Sequence, residues 1–370
     1  MDVTREQVLH ALSQVVEPES GRDVLRLNMV KGLRIAGNRV AFTVMLKDPS
    51  ASFANEVAGL CQAAISNEVG SGVAVDVSLD NEMISLGEQL RDGGGKQSAQ
   101  PEDVVNFIAV ASGKGGVGKS TVASNLAVAL AQKGYEVGLV DTDMYGPSIP
   151  TMFGLEGEKP RVNDRRKIVP LERHGVRLLS MGMMVDPAKA VIWRGPMVSN
   201  AVRQFLGEAE WGELDYLVLD LPPGTGDIQL TIVQTVALTG AVVVSTPQRV
   251  ALADARKGVA MFENVNVPVL GIVENMAYFT PPDLQDRKYY LFGEQGARRL
   301  AEELGVPLLA EIPIEQALRE TSDAGEPMVV SHPESISSES FRTLADRVVE
   351  QVTIRNAEVE PTQRVEILYK

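Results

Sequence analysis

The sequence predicts an α/β protein, a doubly wound, mostly parallel sheet preceded by a small α+β domain. Three observations carry that expectation. After Val104, near-continuous apolar runs (VVNFIAVAS, YEVGLVD, DYLVLDLP, AVVVSTP, VPVLGIVE) alternate with helical patterns. Strands buried on both faces of a parallel sheet have that texture. The N-terminal stretch reads instead as α-β-β-α-β. Between the two lies RDGGGKQSAQPED, residues 91–103, which is polar, Gly-rich and without periodicity, as a flexible linker is.

Taken in order, residues 4–16 place Val8, Leu9, Leu12, Val15 and Val16 on one side of a helix. VLRLNMVKGLRIAGNRVAFTVML holds β-branched runs broken at Gly37–Asn38, a hairpin pattern. SFANEVAGLCQAAISNEV is a second helix and VAVDVSL a further strand. In the second domain, STVASNLAVALAQKG is a helix ending on Gly134. The expected divisions are a small domain over 1–90, the linker over 91–103, the larger domain over 104–352 and a polar tail over 353–370.

A chain of 370 residues suggests about two domains. Aromatic residues are only 5% of it, so the cores must be built from Val, Leu, Ile, Ala and Met. A net charge of −14 repels phosphate backbones and anionic lipids, which argues against nucleic-acid or membrane partners. The single cysteine, Cys61, excludes an intrachain disulfide and fits a reducing compartment. The start, MDVTREQVLHALSQVVEPES, is acidic and amphipathic, unlike a signal or transit peptide, and no apolar run approaches the length of a membrane span. A cytoplasmic protein is the expectation.

The most specific motif is ASGKGGVGKST, residues 111–121, between an apolar strand and a helix. Gly113, Gly118, Lys119 and Ser120 fit G-x-x-x-x-G-K-[ST]. Glycines let the amides of Gly113, Lys114, Gly115, Gly116, Val117, Gly118, Lys119, Ser120 and Thr121 turn around phosphate oxygens without Cβ clashes. The helix N-terminus adds its positive end. Lys119 is expected to reach the β- and γ-phosphates of ATP, and Ser120 to offer a hydroxyl to Mg²⁺.

Carboxylates at other strand ends share that sheet edge, where ligands of open α/β sheets bind. Asp220, closing YLVLDLP, fits a Mg²⁺-holding role, direct or through water. In LVDTDMYGPS, Asp143 is the first candidate to orient the attacking water and Asp141 the second. Asp227 follows the PPGTG turn, from where it is expected to sense the γ-phosphate. Asn275 follows a late strand, and its amide has the donor and acceptor needed to read an adenine edge.

Lys114, a second lysine beside the first glycine, makes the loop resemble that of the MinD/ParA/nitrogenase-iron-protein class of P-loop ATPases. The resemblance implies that Lys114 contacts the nucleotide of the opposite subunit in a dimer, and so acts in catalysis with Lys119 and Asp143. Together, GKGGVGKST, DTDMYGPSIP, IWRGPM, DYLVLDLPPGTGD, STPQ and VENMAYF closely resemble the Mrp/ApbC branch, the iron–sulfur cluster carrier proteins, over about residues 104–350. The N-terminal segment, with VVEPESGRDVLRLNMVKGLRI, is similar to a small domain of iron–sulfur maturation factors. The resemblance implies ATP binding, slow hydrolysis, a homodimer, and delivery of a [4Fe–4S] cluster to apo client proteins, with other assembly factors as further partners.

The chain departs from that family at one place. Family members continue E-N-M into a Cys-x-x-Cys pair, and thiolate is the usual protein ligand of such clusters. Counted from Glu274, those positions are Pro281 and Leu284, and Pro281–Pro282 restrict the segment to extended backbone. KDPSAS, residues 47–52, likewise stands where small-domain relatives often carry a cysteine. Cys61, in the apolar helix pattern AGLCQAAI, reads as a buried small hydrophobe. His10, His174 and His332 are too scattered for a metal site. No cluster ligand is identified. Two other functions stay open, a nucleotide-switched scaffold and a MinD/ParA-like positioning ATPase without a cluster.

Overall fold

The structure is a computed structural model and describes the chain apart from residues 1–2, 19, 47–52, 54–55, 71, 82–100, 102, 145, 184–194, 282, 285–286, 360–361 and 363–370. KDPSAS, nearly all of the 91–103 linker, and most of the segment beyond 359 therefore lie outside the described residues. The chain divides into two compact units, residues 1–97 with 350–361, and residues 98–349 with 362–370.

In the first unit, α1 (Arg5–Leu12) begins at a capping box. The Thr4 hydroxyl accepts from the Gln7 amide at 3.3 Å, and the Thr4 amide donates to Gln7 Oε1 at 3.1 Å. β1 (Val30–Ala36) and β2 (Arg39–Leu46) pair antiparallel across Gly37–Asn38, as the turn residues require. Along β2, Val40, Phe42, Val44 and Leu46 are buried in alternation with less buried neighbours. α2 (Val57–Val69) packs on α1 and on β3 (Ala74–Asn81), which joins β2 in parallel. Val8, Leu12, Val40, Cys61 and Ile65 meet in this core.

The second unit holds an eight-stranded sheet. Its strands are β4 (Val104–Ser112), β5 (Val137–Asp141), β8 (Leu171–Arg173), β9 (Val176–Ser180), β10 (Leu214–Asp220), β11 (Gly240–Ser245), β12 (Val269–Phe279) and β13 (Leu308–Ile314). Their spatial order is β13-β12-β11-β4-β10-β5-β9-β8, and all neighbours are parallel except β8 with β9. A small hairpin, β6 (Arg161–Val162) with β7 (Ile168–Val169), stands apart from the sheet. β4 sits centrally, and Ile108, Ala109 and Val110 have no exposed surface. Helices α3 (Lys119–Gln132), α4 (Ile149–Met152), α5 (Gly195–Gly207), α6 (Asp227–Thr235), α7 (Arg249–Asn264), α8 (Gly296–Leu304), α9 (Gln316–Asp323), α10 (Met328–Ser331) and α11 (Ile336–Glu358), whose residues from 350 on belong to the first unit, accompany the strands. This is the mostly parallel α/β sheet the apolar runs predict, with the small α+β unit before it.

Two segments differ from the sequence reading. Asn275 does not follow the late strand but lies within it, since β12 continues through ENMAYF to Phe279, interrupted by a register shift between Asn275 and Phe279 where Met276 takes φ +56°. Residues 353–358, read as the start of a polar tail, complete α11, because Ala357 is buried in an apolar core.

Candidate functional site

The C-terminal ends of β4, β10 and β5 bring together the residues singled out in sequence. β4 leads into the glycine loop and α3 begins at Lys119 with Gly118 as its N-cap. Gly118 has φ +81° and Gly116 φ +80°, a left-handed backbone that glycine adopts without strain. Gly113 is required for a different reason. A Cβ there would lie 2.2 Å from the Asp254 carbonyl carbon of α7, so helix and loop approach backbone to backbone. The Ser112 hydroxyl donates to the Lys114 carbonyl at 2.9 Å, and the Gly224 amide of the PPGTG turn donates to the Ser112 carbonyl at 2.9 Å.

Lys119 turns back over its own helix and forms an ion pair with Asp220 at the end of β10. Both are inside the protein, Lys119 at 6% exposure and Asp220 at 0%. The Ser120 hydroxyl donates to the other oxygen of Asp220 at 2.6 Å, and Lys119 Nζ lies 3.2 Å from that hydroxyl. The adjacent β5 end supplies Asp141 and Asp143. Asp141 Oδ1 accepts from the Asp143 amide at 3.0 Å, and Asp141 Oδ2 accepts from the Ser180 hydroxyl of β9 at 2.9 Å. Asp143 Oδ1 accepts from the Gly146 amide at 3.2 Å.

Burial sets the electrostatics. It pushes the Asp141 carboxyl up to about 7, helped by the charge of Asp220 and opposed by the Ser180 and Asp143 donors and by Lys119. It raises the Asp220 carboxyl too, against the pull of Lys119 and Ser120. A hydroxyl beside buried carboxylates is an all-oxygen donor set of the kind Mg²⁺ takes, so Ser120 and Asp220 fit the metal expected there. The loop amides and Lys119 fit an anionic phosphate chain.

Asn275 is also at this loop, but its amide nitrogen donates to the Val117 carbonyl at 2.8 Å. Lys114 is half-buried, and among the described residues no hydrogen bond or ion pair engages its ammonium. Asp227 is not brought into the cluster. It is exposed in the first turn of α6, and no hydrogen bond or ion pair among the described residues joins its carboxylate to the loop.

Three residues at the site carried no role in the sequence reading. Ser180 fixes Asp141, and no motif marks it because its strand, β9, is not among the long apolar runs. Thr142 donates from its hydroxyl to the Asp220 carbonyl at 2.8 Å, stitching the ends of β5 and β10 together. Glu274 is 1% exposed and accepts from the Ala297 amide at the start of α8. Burial raises its carboxyl, with that hydrogen bond opposing. A charged residue closing an otherwise apolar run, VPVLGIVE, is the sequence signal that marks it.

The positions corresponding to a Cys-x-x-Cys pair hold no metal donor. Pro281 is half-buried and Leu284 is 45% exposed. Cys61 belongs to the other unit and has no exposed surface. Among the described residues no group of three or more His, Cys, Asp or Glu side chains is placed to hold a metal ion. No helix among them is long and apolar enough to cross a membrane.

Comparison with known proteins agrees with this geometry. Residues 103–349 match the NUBPL iron-transfer P-loop NTPase family, and residues 5–80 match an iron–sulfur cluster assembly protein family. An iron–sulfur cluster carrier protein of Synechocystis is 46% identical over 95% of this chain and 99% of its own length. A nucleotide-binding protein of Archaeoglobus fulgidus, solved in complex with ADP, is 43% identical and superposes with a TM-score of 0.57 over 65% of this chain and 93% of that one. The cell division ATPase MinD of Pyrococcus furiosus, 24% identical, shares the fold with a TM-score of 0.51 over 66% of this chain and 98% of its own. The chain therefore belongs to the iron–sulfur cluster carrier family of P-loop NTPases, with an iron–sulfur cluster assembly domain at its N-terminal end.

Proposed function

We propose that the protein binds and slowly hydrolyses ATP, and that this activity serves the transfer of iron–sulfur clusters to apo client proteins. The observation that carries the reading is the buried Lys119–Asp220–Ser120 cluster at the mouth of a loop whose glycines take left-handed backbone. Lys119 neutralises Asp220. When the phosphate chain of ATP enters, the Lys119 ammonium turns to it, and Asp220 and Ser120 become available as oxygen donors. Bound Mg²⁺ would supply charge neutralisation on the phosphates. Asp143, beside the cluster on the β5 end, orients the attacking water, and Asp141 holds the Asp143 backbone in place.

We read the active form as a homodimer in the cytoplasm. Lys114, with no partner among the described residues, reaches the nucleotide of the second copy, as the loop's resemblance to the MinD/ParA class implies. Transfer of a [4Fe–4S] cluster rests on family membership, and the chain's own residues do not supply its ligands. Pro281 and Leu284 have no donor atom, and burial holds the Cys61 thiol up at about 12, far from the thiolate that binds iron. The cluster is therefore held by thiols supplied from outside this chain, from a client or a small thiol.

Single-turnover hydrolysis of ATP with Mg²⁺, compared with Lys119→Ala, tests the reading. Product in the wild type and at least 100-fold slower formation in the variant is the expected result, on the scale of losing one transition-state contact. Equal product in both would leave a nucleotide-switched scaffold.

A further inference from the structure

Gln229, the third residue of α6, is 2% exposed, and neither its side-chain oxygen nor its nitrogen has a hydrogen-bond partner. Among the described residues no other buried side chain leaves both an acceptor and a donor unpaired. The chain pairs a comparable amide elsewhere. Asn125, 1% exposed, donates to the Thr121 carbonyl at 2.9 Å and accepts from the Val329 amide at 3.2 Å. A buried amide without partners costs stability, so Gln229 calls for a partner from outside the fold. Its position says what kind. α6 leaves the PPGTG turn, which begins two residues after Asp220. That turn lies on the phosphate loop, because the Gly224 amide donates to the Ser112 carbonyl at 2.9 Å and a Cβ on Gly115 would touch the Pro223 ring at 4.0 Å. Gln229 shares the inward stripe of α6 with Ile232 and Val233, which join Leu219 and Leu221 at the end of β10 in one apolar cluster. Gln229 stands one turn nearer the sheet edge where Lys119 and Asp220 pair. In a helix the Cα–Cβ bond tilts toward the N-terminus, which here is that edge.

We propose that Gln229 senses the γ-phosphate at this site, the role that the sequence suggests for the exposed Asp227 two residues earlier. A carboxamide offers two N–H donors and a carbonyl acceptor. The N–H groups donate to a γ-phosphate oxygen. The carbonyl accepts from one hydrogen of the attacking water, while Asp143 accepts from the other. ADP has no group to occupy that amide, so the contact is made with the triphosphate alone. The inference rests on the nucleotide-site reading above and adds to it the residue that tells ATP from ADP.

Calorimetric affinities of the full-length protein for ADP and for a non-hydrolysable ATP analogue, both with Mg²⁺, test it together with ATP turnover at saturation. Gln229→Leu and Gln229→Met keep roughly the same volume and remove both polar atoms. Each should weaken the analogue about ten-fold, hold ADP within about two-fold of wild type, and slow turnover by about ten-fold or more. Without nucleotide, both variants should melt no lower than wild type, because an unpaired buried amide has given way to apolar surface. An equal loss for ADP and the analogue would make Gln229 a structural residue and overturn the proposal. Unchanged turnover, or melting several degrees below wild type, would overturn it too. If the wild type binds neither nucleotide, the nucleotide-site reading fails and the proposal with it. If wild type and variants bind both nucleotides alike, the proposal alone fails.

Discussion

Lys119 and Asp220 form a buried ion pair between the first residue of α3 and the last residue of β10, and the Ser120 hydroxyl closes it from the side. Two charges so far from water are stable only together. Lys119→Ala leaves a buried carboxylate uncompensated and should destabilise the second unit by about 3–5 kcal/mol. Lys119→Met combined with Asp220→Asn removes both charges and should recover most of that loss. Urea denaturation of the wild type and the two variants checks this. A double variant no more stable than Lys119→Ala would mean that the uncompensated carboxylate is not the source of the loss.

The same pair predicts a ligand effect. ATP with Mg²⁺ binds the folded state alone and should raise its stability by about 2.7 kcal/mol at 100 times the dissociation constant. Asp220→Asn should lose the Mg²⁺-dependent part of that gain and keep the part that ATP supplies in the presence of a chelator. Thermal denaturation with and without Mg²⁺ separates the two.

Three of the four loop glycines, Gly113, Gly116 and Gly118, should differ in their tolerance of a side chain. Gly113→Ala drives a Cβ into the backbone of α7, and backbone cannot move aside. Gly118→Ala meets only the end of the Asn275 side chain, but must also hold φ +81°. Gly116→Ala has the same backbone strain, φ +80°, and open space around it. Melting temperatures should therefore fall most for Gly113→Ala and least for Gly116→Ala, with nucleotide binding lost most sharply relative to stability in Gly118→Ala.

Lys114→Ala should lower ATP turnover by ten-fold or more while changing nucleotide affinity by less than three-fold, because its ammonium is assigned to a neighbour's nucleotide. Turnover per chain in the wild type should rise with protein concentration, and that rise should vanish in the variant. Turnover unchanged by the substitution would refute the cross-subunit role.

Burial holds the Cys61 thiol up at about 12 from an ordinary 9.0, so the folded chain keeps a proton that the unfolded chain releases first. The folded form then binds more protons in that window, and stability from this group is full below pH 9 and declines as pH rises toward 12. The difference in unfolding free energy between wild type and Cys61→Ala should narrow across that window. At pH 7.5, maleimide labelling should proceed only after denaturation.

Much of this site is legible in the sequence because its chemistry is local. Gly113 to Thr121 must be contiguous to wrap phosphates, and the apolar runs before Asp141 and Asp220 bring those carboxylates to one sheet edge. What escapes reading is non-local. Ser180 reaches Asp141 from a five-residue strand whose pattern, VRLLS, carries a charge at its second position. β13 likewise contains Glu311 and Pro313, which break its apolar run. Asn275 reads as lying beyond a strand because the polar pair Glu274–Asn275 closes an apolar run, whereas the chain continues as β12 through a left-handed Met276. Asp227 illustrates the converse. Its place after PPGTG suggests the phosphate edge, yet the turn leaves it exposed at the start of α6.

Pro281 and Leu284 set the sharpest question, since a family that moves iron–sulfur clusters here lacks side chains to hold one. Anaerobic reconstitution with iron and sulfide, with and without glutathione, followed by counting both elements per chain, addresses it directly. Clusters held on borrowed thiols predict stoichiometric iron and sulfide with glutathione and little without it. An absence of cluster under both conditions would contradict cluster carriage while leaving the ATPase site intact.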